Sequence, residues 1–232
     1  MSADLIAAAQ RAADDPEVRA VLLRGAGGTF CVGGDVKSMA ENKSTLSYEQ
    51  KRDSLRRGME ISRLLHEMTK PVVAQIDGAA AGAGLSIALS CDLRVVGASA
   101  KITTAFAKVG LSGDFGGTYF LTQLVGSAKA KELYLLSDVI LAEEAERLGI
   151  VNRAVDPREL EAETMALAKR FASGARITQG LMKKNLNIAE KGDMLLSFDT
   201  EALNHSRSAQ TADHAEAAKA FVEKRAPVFK GR

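Results

Sequence analysis

Two glycine-rich turns constrain this chain most: Phe30-Cys31-Val32-Gly33-Gly34-Asp35 and Asp77-Gly78-Ala79-Ala80-Ala81-Gly82-Ala83-Gly84. Each follows an apolar, strand-like run, and the second opens into an apolar helix. Small residues let one backbone approach another, or a ligand, closely. The free N–H groups at a helix start carry positive dipole toward whatever sits there. Two such turns converging on one carbonyl oxygen make a hole for a developing oxyanion. A chain built this way needs strands that end in tight turns and helices that begin there, which is α/β architecture.

The rest of the sequence supports that pattern. Residues 3–13 read as an alanine-rich helix closed by Asp14-Asp15-Pro16, and 18–23 as a buried strand. Residues 47–68 carry apolar side chains at helical spacing until Lys70-Pro71 breaks them, because the residue before proline is pushed out of helical geometry. Strands follow at 72–76, 93–96 and 101–104, with a short buried helix at 84–90 between the first two. Residues 110–117 form a glycine-rich loop, then helices at 118–124, 128–136 and 142–148 lead to a strand at 150–155. Asp156-Pro157 reads as an N-cap with proline in the first turn, and beyond it the chain is nearly all helix.

A chain of 232 residues buries roughly 70–75% of its unfolded surface, enough for one sizeable core with a helical appendage. Basic and acidic residues nearly cancel, 31 against 29, and aromatics are few, so bulk charge and stacking platforms both argue against nucleic acid. No apolar run approaches the roughly 18 residues a membrane crossing needs. The opening Met1-Ser2-Ala3-Asp4 lacks a signal peptide's layout. Cys31 and Cys91 fit no metal or redox spacing and read as small core fillers, which suits a cytoplasmic protein. No metal or redox cofactor is implied.

Five stretches in register resemble the crotonase (enoyl-CoA hydratase/isomerase) superfamily: Asp15-Pro16-Glu17-Val18-Arg19, residues 30–37, residues 70–92, residues 110–118, and Ala220-Phe221-Val222-Glu223-Lys224-Arg225. The likeness runs from about residue 3 to the C-terminus. It implies a spiral of ββα turns over residues 1–172, a helical trimerisation region over 173–232, a homotrimer or dimer of trimers, and an acyl-CoA thioester as substrate, with coenzyme A part of the substrate rather than a cofactor. Family members place an N-terminal β-hairpin, which adds backbone contacts to CoA, ahead of the first helix, whereas this sequence opens at that helix; either its start codon is placed late or the protein lacks that edge, which bears on stability and CoA affinity more than on chemistry.

Carried onto these positions, the resemblance makes the N–H groups of Gly34 and Ala83 the two oxyanion donors. Hydratases of the family carry glutamates at the positions that read Ser86 and Phe106 here, and neither replacement activates water as a carboxylate does. The glycine loop offers Asp114 instead, where dienoyl-CoA and ring-opening epoxyphenylacetyl-CoA isomerases carry their acid/base aspartate. One carboxylate can take a proton from one carbon and return it at another. An apolar wall of Phe106, Leu111 and Phe115 is expected to raise its pKa. The plainer role for Asp114 is to cap the helix at Thr118 or steady the turn.

Val32, Asp35, Val36 and Lys37 fall where the family lines its CoA groove, although Asp35 also suits a helix cap and Lys37 a solvated surface. Phe221 and Lys224 match tail residues that meet the adenosine phosphate, often across a subunit boundary. Gly84-Leu85-Ser86-Ile87-Ala88 nearly matches a nucleophile elbow, but its last glycine is missing and His66, His205 and His214 lie in polar helical stretches. Three functions remain open at this point: an acyl-CoA isomerase, a hydratase or related lyase, and a non-catalytic acyl-CoA-binding subunit.

Overall fold

A computed structural model describes residues 2–41 and 45–232. Its chain repeats one unit: a strand in a parallel sheet, a short extended segment in a second sheet, then a helix. In the first turn, α1 (Ser2–Asp14) leads to β1 (Val21–Arg24), Cys31 makes a lone bridge to Ala80, and α2 (Val36–Ala40), α3 (Tyr48–Gly58) and α4 (Glu60–Glu67) follow. The second turn is β2 (Val72–Ile76), β3 (Ala79–Ala81) and α5 (Ala83–Leu89). The third is β4 (Leu93–Gly97), β5 (Lys101–Thr103) and, after a 3-10 turn at Ala107–Val109, α6 (Gly117–Leu136). Then come β6 (Ile140–Leu141), α7 (Ala142–Arg147) and β7 (Arg153–Val155). The larger sheet runs β1-β2-β4-β7, all parallel, and the smaller runs β3-β5-β6. Stacked turns of this kind are the expected spiral.

The core lies inside that spiral. β2 is buried at all five positions, as in a strand covered on both faces; its one polar residue, Gln75, accepts from the Thr164 hydroxyl at 2.8 Å. Helix α4 turns Ile61, Leu64 and Leu65 inward, together with Ser62. Arg94 is buried yet satisfied, donating to the carbonyls of Ile150 (2.7 Å), Cys91 (2.6 Å) and Leu89 (3.3 Å). α8 (Leu160–Ala172) packs on β1, β2 and β4, whereas α9 (Arg176–Ala189) packs on α4 and α10 (Met194–Ala209), which meets α11 (Ala212–Val222). Lys183 of α9 is locked to the core, its ammonium 2.8 Å from both the Asp92 carboxylate and the Leu65 carbonyl.

Several expected boundaries move. The helix expected over 47–68 splits at Met59 into α3 and α4, because glycine at 58 weakens the helix where apolar periodicity runs on unbroken. The strand expected from residue 18 begins at Val21, and the one expected from 150 begins at Arg153. Asp156 does not cap α8. It caps a turn, accepting from Arg158 N–H at 2.9 Å, and α8 starts at Leu160. The second glycine turn hides a strand, β3, since three alanines can pair with β5 as well as turn.

Helix α6 is broken at Gly126 (φ 74°, ψ 163°), a left-handed conformation that suits glycine. The two expected helices over 118–124 and 128–136 are its halves. From Gly117 to Tyr134 a straight helix at 1.5 Å per residue would run about 25 Å. Instead the Tyr134 hydroxyl oxygen lies 2.3 Å from the point where a Cβ on Gly117 would sit, so the second half folds back onto the first.

Candidate active site

The two glycine turns meet. Cys31 N–H donates to the Ala79 carbonyl (3.1 Å), and Ala81 N–H donates to the Cys31 carbonyl (2.9 Å). Gly33 takes φ +87°, and a Cβ there would lie 3.1 Å from the Ala81 oxygen and 3.3 Å from the Ala83 nitrogen. Gly84 is tighter still: a Cβ would fall 2.1 Å from the Cys31 oxygen. The first turn therefore rests directly on the start of α5. Ala83 is the first residue of that helix, so its N–H has no acceptor within the helix, and Gly34 follows immediately on Gly33. The backbone brings the two expected donors to one place.

The Asp114 turn joins them through α5. Ser86 lies one helical turn beyond Ala83, and its Oγ falls 2.2 Å from the point a Gly117 Cβ would occupy. Gly117 N–H in turn donates to the Asp114 carbonyl at 3.0 Å. The Asp114 carboxylate is half-buried, and its Oδ1 is fully buried without a hydrogen-bond partner. Burial alone pushes its pKa above the ordinary aspartate value. The charge is thus destabilised where no protein group quenches it. Helix capping does not account for that oxygen: the α6 N-cap is Gly116 (φ 77°), with no side-chain cap.

Two non-glycine residues bracket this segment in the left-handed region, Ala105 (φ 60°) and Phe115 (φ 49°). Each costs on the order of 1–2 kcal/mol, and such strain gathers at functional sites. Side chains restrain it. Thr104 Oγ1 donates to the Leu133 carbonyl (2.8 Å), Ala105 N–H donates to Thr103 Oγ1 (3.1 Å), and Ala107 N–H donates to Ser137 Oγ (3.2 Å).

Ser86 Oγ bonds the Gly82 carbonyl at 3.2 Å, a helix-internal partner rather than a histidine. Phe106 is buried and stacks on Tyr134, centroids 5.9 Å apart and planes 9° apart. The two positions where the resemblance expects a hydratase's glutamates thus hold a hydroxyl and a ring. Phe115 lines a cavity of about 580 Å³ with Met59, Ser62, His66 and Tyr119. Leu111, expected in the Asp114 wall, is 48% exposed and adds little to its burial. His66 is engaged elsewhere, 3.2 Å from the Glu190 carboxylate.

The groove residues divide. Asp35 caps α2, its carboxylate accepting from Lys37 N–H at 3.1 Å. Val32 (62%) and Val36 (51%) are exposed beside Gly34, as is the Lys37 side chain. Phe221 is 86% exposed and Lys224 is exposed on the segment after α11, whose main contacts are with α10, so one chain does not bring them to the turns. Tyr134 and the close-fitting Gly113 and Gly117 went unread in the sequence. The one signal for them was the glycine density of the loop.

The family model for enoyl-CoA hydratase/isomerase matches residues 1–232. The chain belongs to the enoyl-CoA hydratase/isomerase family. Its relatives include the 1,2-epoxyphenylacetyl-CoA isomerase of Escherichia coli, 33% identical over 100% of this chain and 88% of that protein. The short-chain-enoyl-CoA hydratase of Clostridium acetobutylicum is 36% identical over 91% of this chain and 80% of its own. Among solved structures, the enoyl-CoA hydratase of Bacillus anthracis superposes with a TM-score of 0.92 at 29% identity, covering 100% of this chain and 88% of that one. This crotonase-family chain is thus similar to relatives named for both isomerisation and hydration.

Proposed function

We propose that this family member is an acyl-CoA isomerase that moves a double bond or rearranges a ring of an enoyl-type thioester. The Gly34 and Ala83 N–H groups hold the thioester oxygen as it gains charge, and Asp114 carries the proton from one carbon to another. The observation that carries this reading is the distribution of carboxylates. Ser86 and Phe106 supply none, whereas Asp114 offers a buried, unpartnered oxygen on the turn that packs, through Gly117, against Ser86 of α5. An oxyanion donor is worth about 10²–10³ in rate and a positioned acid–base group about 10²–10⁴.

The remaining groups fit around that chemistry. Val32, Val36 and Lys37 flank Gly34 on the exposed side, where the CoA arm would lie. Exposed Leu186, Leu195, Phe198 and Leu203 on α9 and α10 make an apolar face suited to a trimer or dimer of trimers, and Phe221 and Lys224 reach CoA from a neighbouring subunit. No helix of the described residues is long and apolar enough to cross a membrane, and we place the enzyme in the cytoplasm.

The test is a panel of enoyl, dienoyl and ring-epoxide thioesters incubated in heavy water. Isomerisation should incorporate deuterium at the α or γ carbon, and Asp114→Asn should lower the rate by about 10²–10⁴. An undiminished rate in that variant removes Asp114 from the mechanism. Hydration is the second reading, favoured by the relatives named hydratases at 35 and 36% identity. Rapid hydration of crotonyl-CoA by the wild type would establish it instead.

A further inference from the structure

We propose that the cavity behind Phe115 receives the far end of the acyl group and selects straight chains that end in a carboxylate, held by Ser62 and Lys191. The proposal deepens the isomerase reading and rests on its placement of the reacting carbons beside Asp114.

Position comes first. Phe115 and Gly116, the two residues after Asp114, line this cavity of about 580 Å³, an ordinary size for a small-molecule site. A Cβ on Gly58 would lie 3.5 Å from the Phe115 ring, so that ring reaches from the Asp114 turn to the joint between α3 and α4. Beyond it, Met59, Ser62 and His66 form one stripe of α4, and Gly180, Lys184 and Asn187 one stripe of α9. The two helices are fixed against each other. Asn187 Nδ2 donates to the His66 carbonyl (2.8 Å), Lys183 Nζ donates to the Leu65 carbonyl (2.8 Å), and a Cβ on Gly180 would fall 2.7 Å from the Thr69 oxygen. These contacts run antiparallel. Lys191, one helical turn past Asn187, therefore comes level with Ser62, one turn before His66.

Two observations say what belongs there. Ser62 is 3% exposed and its Oγ has no hydrogen-bond partner, a state that burial penalises and a ligand oxygen would relieve. The charges on the lining are the second. Its one acid, Glu67, is paired with Arg63, while Arg56 and Arg63 share Glu60. Nearby Glu190 is taken by His66 and by the Tyr119 hydroxyl. Lys191 is exposed and makes no ion pair among the described residues. Its long stem lets the ammonium swing over the end of a bound chain. Methylenes suit the lining of Met59, Phe115, Phe120 and Ile188, and a carboxylate at their end meets a hydroxyl donor and an unused cation.

Inert saturated thioesters test this apart from turnover. Succinyl-, adipoyl- and suberoyl-CoA are titrated by calorimetry against butyryl-, hexanoyl- and octanoyl-CoA, so the CoA contribution cancels within each equal-length pair. Wild type should prefer the carboxylate-ended member by about 10- to 100-fold at the length that reaches Ser62, and the preference should shrink as salt is added. Ser62→Ala should lower it about 10-fold with Tm unchanged or raised, because the lost hydroxyl had no partner to leave behind. Lys191→Gln should lower it by up to about 5-fold. The proposal is overturned if no pair shows the preference or if Ser62→Ala leaves it unchanged. It is equally overturned if Lys191→Gln weakens both members of a pair alike, since that lysine then serves the CoA phosphates. The isomerase reading stands or falls separately on deuterium exchange: an undiminished Asp114→Asn rate removes that reading, while a carboxylate preference in the same variant leaves the chain selection standing.

Discussion

The two halves of this site are made of different material. The oxyanion half is main chain: the turns ending at Gly34 and Ala83 are joined by backbone hydrogen bonds through Cys31 and packed until no Cβ fits at Gly84. The proposed acid–base half rests on a side chain: strained backbone at Ala105, restrained by Thr103, Thr104 and Ser137, leads to a second strained residue, Phe115, next to the one carboxylate. In the proposed reaction the first half polarises a carbonyl independently of pH, and at Gly84 it has no room for a Cβ. The second would set which proton moves and would respond to pH.

Substitutions that add one carbon should break the first half most severely. Gly84→Ala drives a Cβ to 2.1 Å from the Cys31 carbonyl oxygen, which neither backbone can yield without separating the turns. We expect a loss of about 3 kcal/mol in denaturant unfolding and a rate at least about 10³-fold lower. Gly33→Ala is milder in packing but places alanine at φ +87° against Ala83 N–H. It should cost about 1–2 kcal/mol of strain and lower kcat by about 10²–10³, the signature of one misdirected donor. Near-normal kcat in Gly33→Ala would show that the turn is only a packing device.

The second half should give smaller, chemically legible effects. Thr104→Val keeps shape but removes the hydroxyl's bonds to the Leu133 carbonyl and Ser137 hydroxyl, both of which keep other partners, and should cost about 0.5–1.5 kcal/mol in chemical denaturation. Asp114→Asn should stabilise the fold at neutral pH. Because burial raises the native pKa of Asp114, folding takes up protons between the ordinary aspartate value and that raised value, and stability falls as pH rises through this window. The variant's Tm advantage should therefore shrink as the pH is lowered toward about 4. The acid limb of the wild-type pH–rate profile should have its midpoint above the ordinary aspartate value. Smallest is Ala105→Gly, which relieves a left-handed alanine (φ 60°) and should change stability by less than about 1 kcal/mol.

The same division explains what the sequence could disclose. The pair of tight turns was legible because glycine spacing after an apolar strand is a local pattern, whereas Gly34, Ala83 and Asp114 were singled out only through the family resemblance. Tyr134 was not legible, because its place depends on Gly126 reversing α6, and a lone tyrosine at helical spacing carries no trace of that reversal. The split at Met59 was hidden for the opposite reason. Leu55, Met59, Leu64 and Met68 continue one apolar stripe, so periodicity bridges a break that Gly58 makes. Phe221 and Lys224 depend on what adjoins the exposed face of α11, which no pattern within one chain encodes.

The bridge between Cys31 and Ala80 has a consequence for how such a protein acquires new chemistry. Since the proposed carbonyl-polarising apparatus is main chain, exchanging side chains that do not crowd the two turns leaves it intact, while Gly84 of α5 admits no addition. Descendants inherit electrophile activation as a fixed asset of the scaffold and diversify by redecorating the surfaces that face it.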